Sequence, residues 1–303
     1  MCSLWQDNYI KKRNEEKVLN QTKLEIVYNK LSKFGIERIT YIGGEPFLKD
    51  YLIETALISK KYNLIPSVVT NGTVLDDYKI NQIIEKQIFE NIIFSIDGPP
   101  NIHNEIRGDK IFEKVYTNIK NLSILKTKHK LKKPKILIYI TIWDKNYLDI
   151  EKTIKIVNSL NPNKIRIQLA SKITDTIIKK TNQILPNSII THSYINSIET
   201  DNAFRFIQEK YSFLVEKYKN IEFEKIFYIE NKTCHFASKE LIVTPSGNLL
   251  ICPMLNNLPI GNIYIDDLNE IYQKNITKIT EIKTLAENKK LPICYQCCVE
   301  KIR

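Results

Sequence analysis

No stretch of this chain is apolar for long enough to cross a bilayer, and its first residues, MCSLWQDNYIKKRNEEK, hold no apolar core of the kind that directs secretion. No membrane partner is expected, and the cytoplasm is the expected location. Cysteine is missing from positions 3 to 233, while five of the six cysteines crowd into positions 234, 252, 294, 297 and 298. A reducing compartment and this clustering argue against a disulfide framework and for a metal site. Aromatic residues are absent from the densest basic run, Lys126 to Lys135 (KTKHKLKKPK). The net charge of +11 is spread along the chain, with lysines close to Glu or Asp, so solvated faces are expected in preference to a nucleic-acid groove.

What is present is a globular chain of 303 residues with 43% hydrophobic content, enough for one large core or for a large and a small one. Apolar periodicity predicts helices over 20–34, 50–62, 76–87, 111–125, 148–160 and 201–218, and strands over 36–42, 64–70, 91–96, 135–142 and 164–169. Strands alternating with helices at these spacings predict parallel βαβ units with functional groups gathered at the strand C-termini. Three polar clusters fall there: Gly43-Gly44-Glu45-Pro46, Thr70-Asn71-Gly72, and Ser95-Ile96-Asp97-Gly98, the last followed by an abrupt Pro99-Pro100 break. Each alone reads equally well as a simple turn between strand and helix; together they point to one shared site. Residues 170–200 form a Thr, Ser, Asn and Ile mixture without an assignable element.

Near Ile221 a second regime begins, dividing the chain into 1–220 and 221–303. Segments 240–244 and 248–252 predict a hairpin across Pro245-Ser246-Gly247, followed by a short helix over 266–273 and a second helical stretch to Lys289. Cys234 precedes the hairpin, Cys252 ends it, and Cys294-x2-Cys297 closes the tail, with Cys298 able to replace Cys297. Four thiolates suit a structural zinc or an iron–sulfur cluster, and ligand count does not separate the two.

The ordered set Cys2-Ser3-Leu4-Trp5, Gly43-Gly44-Glu45-Pro46, Thr70-Asn71-Gly72 and Ser95-Ile96-Asp97-Gly98 with His103 and Arg107 resembles the radical S-adenosylmethionine superfamily. The tail, with Cys234, Gly247, Cys252, Cys294 and Cys297, is similar to the SPASM or twitch extension of that family. The resemblance implies a partial (β/α)6 barrel, here lacking its first strand, with a small cysteine-rich hairpin and helix domain. It implies S-adenosylmethionine and a [4Fe-4S] cluster as cofactors, an auxiliary iron–sulfur cluster in the tail, and a flavodoxin or ferredoxin as electron donor. Gly43, Gly44, Glu45 and Pro46 would face the methionine ammonium, Ser95 and Asp97 the ribose or the substrate, and Thr70 and Asn71 the same cofactor. The family motif CxxxCxxC is represented only by Cys2, so either Met1 is expected to be an internal methionine taken as the start or the gene to be truncated, and the chain as written is expected to be inactive without the two missing ligands. The substrate would be a peptide, a protein or a small metabolite. A different class remains open: a non-catalytic scaffold whose tail cysteines hold zinc.

Overall fold

The computed structural model describes residues 21–170, 173–189, 200–223, 234 and 239–296. They divide between two compact units, one formed by Ile36–Ala170 and Ser197–Glu224, the other by Met1–Gly35, Ser171–Asn196 and Lys225–Arg303. Helix α1 (Gln21–Lys33) opens the described chain within the second of these.

The first unit is built on six parallel strands that neighbour one another in chain order: β1 (Arg38–Tyr41), β2 (Ile65–Thr70), β3 (Asn91–Ser95), β4 (Lys135–Ile142), β5 (Lys164–Leu169) and β6 (Ile221–Phe223). Between them run α2 (Leu52–Lys61), α3 (Asp77–Lys86), α4 (Pro100–Arg107), α5 (Ile111–Lys128) and α6 (Ile150–Asn158). Helix α7 (Asp175–Ile184) and helix α8 (Thr200–Lys217) follow β5, α7 within the second unit and α8 within the first. Strands in sequential order with right-handed crossovers place their helices on one side of a sheet, leaving the other side open. Burial follows that rule. On the helix side Val68, Ile92, Phe94, Ile136, Ile138, Ile140, Ile165 and Ile167 are at most 1% exposed. Each contributes about 1.5–3 kcal/mol relative to an exposed position. On the opposite side, Val69, Ser95, Leu137, Tyr139, Thr141, Arg166, Gln168 and Glu222 are only half-buried. The sheet does not close into a barrel; β1 and β6 are its edges among the described residues.

Three differences from the sequence expectation have physical causes. The Pro99-Pro100 break does stop a strand, but it also opens α4: Pro99 is the extended N-cap and Pro100 the first helical residue, where a missing N–H costs nothing. Ile221–Phe223, placed by sequence at the start of a second regime, pairs in parallel with Ile165–Ile167 and completes the large sheet. A three-residue strand carries too little alternation to register as one. Within the unassigned 170–200 stretch, α7 is a capped helix, its Thr174 hydroxyl accepting from the Ile177 N–H at 3.3 Å.

The second unit contains a small antiparallel sheet, β7 (Ile242–Val243), β8 (Asn248–Leu250) and β9 (Gly261–Asn262), so the expected hairpin is present with one further strand. The two helical stretches expected in the tail are one continuous helix, α9 (Leu268–Glu287), N-capped by the Asp267 carboxylate. One turn of 3-10 helix, Pro292–Gln296, carries Cys294. Helix α1 buries Leu24, Val27, Tyr28 and Leu31. Lys30 in α1 donates to the Ile263 and Asp266 carbonyls at 2.7 and 2.9 Å, and Phe34 meets the Tyr272 ring of α9 at 5.0 Å.

Candidate active site

The loop after β1 turns two glycines outward. Gly43 has φ +135°, a region that side chains resist, and a Cβ at Gly43 or Gly44 would meet nothing within 4 Å. Among the described residues neither makes a hydrogen bond of its own, so their backbone N–H and C=O groups are open to a ligand. Glu45, by contrast, points inward and is 8% exposed. Its Oε1 accepts from the Phe47 N–H at 3.1 Å and the Thr70 hydroxyl at 2.7 Å, and its Oε2 accepts from the Asn71 N–H at 2.7 Å. Those bonds fasten the glycine loop to the end of β2. What the loop offers outward is backbone, with the carboxylate holding it in place.

The next strand end is arranged in the same way. Thr70 Oγ1 also accepts from the Gly72 N–H at 2.9 Å, and Asn71 Oδ1 accepts from the Thr73 N–H and hydroxyl at 2.8 and 2.7 Å. Gly72 has φ +74°, and a Cβ there would press on Phe94 and Val115 at 3.0 and 3.1 Å. The Thr-Asn-Gly triplet is thus a turn whose groups mostly serve the turn, leaving the half-buried Asn71 as the one with outward reach.

After β3, Ser95 stands half-buried on the open side of the sheet, whereas Asp97 is 3% exposed. Arg107 Nε donates to Asp97 Oδ2 at 2.6 Å, and the Asp97 N–H donates to His103 Nδ1 at 3.1 Å. Asn146, 1% exposed, donates from Nδ2 to the carbonyls of Asp97 and Thr141, and its Oδ1 accepts from the Trp143 N–H at 2.8 Å. The ends of β3 and β4 are tied together through this one amide. Asn146 had no signal in the sequence; it is a polar residue in a polar loop. Asp97 Oδ1 is buried without a hydrogen-bond partner among the described residues.

His103 is fully buried against the edge of Phe112. Burial and the neighbouring Arg107 charge push its pKa down to about 4, against the opposing pull of Asp97 and Glu113. The ring is therefore neutral at physiological pH, accepting at Nδ1, and works as a local hydrogen-bonding residue. The unfolded chain, with a histidine pKa near 6.5, binds more protons than the folded one between that value and about 4. Stability is accordingly full above pH 6.5 and falls as pH drops toward 4, by up to ~3 kcal/mol. Urea midpoints between pH 7 and pH 4 should show this loss, and it should shrink in His103→Asn, whose amide oxygen can still accept from Asp97.

Across the open side of the sheet, Ser95, Tyr139, Arg166 and Glu222 stand in one row, each opposite the next in the strand register. The Arg166 guanidinium lies over the Tyr139 ring, 5.0 Å from its centroid, and donates to Glu222 Oε1 at 3.1 Å; Lys164 pairs with the other oxygen. One row higher, Gln168 donates to Thr141 Oγ1 at 2.9 Å. The sequence reading passed over this row, although a charged residue inside the apolar run KIRIQL was a usable signal.

In the second unit Cys234, Cys252 and Cys294 are half-buried. Among the described residues no three His, Cys, Asp or Glu side chains are gathered closely enough to hold a metal ion. Cys2 and Cys297 lie outside the described residues. Thiolate donors on separate segments of one unit fit an iron–sulfur or zinc site in chemistry, and such ligands commonly draw together only as metal binds.

Two family models match the chain, one described as the radical SAM superfamily over residues 1–169 and one as an iron-sulfur cluster-binding domain, SPASM, over residues 234–298. No curated protein matches. Among solved structures, Streptococcus suis SuiB superposes with a TM-score of 0.64 at 12% identity, over 85% of this chain and 60% of that one. SuiB bound to precursor peptide SuiA gives 0.66 at 11%, over 84% and 58%. Native anSMEcpe with bound AdoMet and Kp18Cys peptide gives 0.63 at 19%, over 89% and 75%. At these identities the likeness shows the fold, and the chain spans about three fifths of the length of SuiB. Among the described residues no helix is long and apolar enough to cross a membrane.

Proposed function

Because this chain belongs to the radical SAM superfamily, whose cofactors are S-adenosylmethionine and a [4Fe-4S] cluster, we propose that it modifies a peptide by hydrogen abstraction on the open side of its sheet. The observation that carries the reading is the loop at Gly43 and Gly44: open backbone groups at the C-terminal end of a parallel sheet, held in place by a buried carboxylate. When bound to its cluster, S-adenosylmethionine supplies a 5′-deoxyadenosyl radical. The protein's own part is placement and exclusion of water. Gly43 and Gly44 would present carbonyl oxygens to the methionine ammonium, with Pro46 closing the loop beside them. Glu45, Thr70 and Asn71 fix that loop, and Ser95, half-buried at the end of β3, would offer its hydroxyl to the ribose or the substrate. Asp97 acts one step back, orienting the β3 end through Arg107 and His103. Cys2 would contribute to the radical cluster, and Cys234, Cys252, Cys294 and Cys297 would hold the auxiliary one.

A peptide is favoured over a small metabolite because two of the similar structures hold peptides, SuiA in SuiB and Kp18Cys in anSMEcpe. The electron would come from a flavodoxin or ferredoxin, and thiolate ligands would suit a reducing cytoplasm. Two measurements test the reading. Anaerobically reconstituted protein should be brown, with iron and sulfide bound; colourless protein holding zinc would favour the scaffold instead. Supplied with S-adenosylmethionine and a strong reductant, a form that carries a full CxxxCxxC motif should release 5′-deoxyadenosine, and its absence would count decisively against the proposal.

A further inference from the structure

Neither family model covers residues 170–233, yet part of that stretch makes specific bonds to two cysteine-bearing segments of its own unit. Thr181, in the middle of α7, is fully buried. Its hydroxyl donates to the Ile177 carbonyl at 2.8 Å and accepts from the Ile293 N–H at 3.1 Å. Ile293, 1% exposed, precedes Cys294 in the 3-10 turn, where the Cys294 N–H donates to the Leu291 carbonyl at 3.0 Å. The hydroxyl thus completes the backbone hydrogen bonding of the turn that carries Cys294. A few residues on, the Asn257 N–H donates to the Ser188 carbonyl at 3.1 Å and Asn257 Nδ2 to the Asn187 carbonyl at 2.8 Å, five residues beyond Cys252. Asn182 braces this second contact from within, its Oδ1 accepting from the Ser188 hydroxyl and the Ile189 N–H, both at 3.0 Å.

We propose that α7 and the turn to Ile189 form a bracket for the tail metal site, with Thr181 the positioning residue for Cys294. This deepens the proposed function by assigning to the auxiliary site a support that comes from outside the matched cysteine domain. A metal held by thiolates on separate segments depends on each segment being oriented before binding, and partners of the ligands are where that orientation is set. Thr181→Val keeps the shape of the side chain and leaves the Ile293 N–H buried with no acceptor. Thr181→Ser keeps the hydroxyl.

The test is metal release. Reconstituted wild-type protein, Thr181→Val, Thr181→Ser and Thr153→Val are each challenged with an excess of a colorimetric iron chelator under anaerobic conditions. Thr153 is the control: 1% exposed on α6 in the other unit, it bonds back to the Asp149 carbonyl at 2.8 Å as Thr181 does to Ile177, and among the described residues its hydroxyl accepts no N–H from a cysteine-bearing turn. Thr181→Val should release iron about tenfold faster than wild type, the effect of losing one buried hydrogen bond, with a broadened electron paramagnetic resonance signal from the reduced cluster. Thr181→Ser should restore both, and Thr153→Val should change neither. Equal release by wild type and Thr181→Val, or equally fast release by Thr153→Val, overturns the bracket. If the wild type holds zinc, the proposed function fails, while the same comparison run on zinc release still decides the role of Thr181.

Discussion

Replacing Arg107 by alanine should cost this protein ~3–5 kcal/mol of folding stability, because the change strands a buried carboxylate. Asp97 is 3% exposed, its Oδ2 is 2.6 Å from Arg107 Nε, and its Oδ1 has no hydrogen-bond partner among the described residues. With the guanidinium gone, the carboxylate is left buried at the end of β3 without its counter-charge. Removing the charge as well should recover most of the loss, so Arg107→Ala with Asp97→Asn is expected to be more stable than Arg107→Ala alone. Urea denaturation of the three proteins at pH 7 measures it. A loss below ~1 kcal/mol in the single variant would mean that water already screens the pair.

Glu45→Ala is the second large effect, and it should reach cofactor binding as well as stability. Three donors lose their acceptor at once: the Phe47 N–H, the Thr70 hydroxyl and the Asn71 N–H. Hydrogen bonds to a charged group are worth about 1.5–3 kcal/mol each, and the Thr70 hydroxyl and Phe47 are buried, so the two buried bonds alone set an expected loss of ~3–6 kcal/mol. Glu45→Gln keeps one oxygen but turns an NH2 group toward an N–H donor, and it should fall between. Because the loop is held by this carboxylate, both variants should weaken S-adenosylmethionine binding even where they remain folded at low temperature. Binding by calorimetry on reconstituted protein checks this. Unchanged affinity in a folded Glu45→Ala would show that the glycine loop holds its shape without the acid.

The comparison between sequence and structure is most instructive at these two acids. Position in the chain marked both, because each follows an apolar strand and precedes a helix, and the sequence reading put both on the cofactor. The structure turns both inward, Glu45 onto Thr70 and Asn71, Asp97 onto Arg107. Pattern places a residue at a strand end; whether its side chain faces the ligand or fastens the loop beneath depends on which donors a neighbouring strand end or the following helix brings near. The same holds for Asn146 and for the row of Ser95, Tyr139, Arg166 and Glu222, which exists only through the register of four strands. Short elements escaped as well. Ile221–Phe223 has too few residues to show alternation, and α7 lies in a stretch whose polar residues are satisfied by contacts far away in sequence, such as Thr181 with Ile293.

By itself the sequence determined the alternation of strands and helices, the parallel sheet, the positions of the three polar strand ends and the crowding of cysteines toward the end of the chain. Those follow from apolar periodicity and from Gly, Pro and Cys placement, which act over a few residues. The tertiary structure alone decided which side of the sheet stays open, which carboxylates support the site from beneath, and that a helix from the unassigned stretch holds the turn of Cys294. These depend on partners ten to more than a hundred residues apart, and no local pattern encodes which of them will meet.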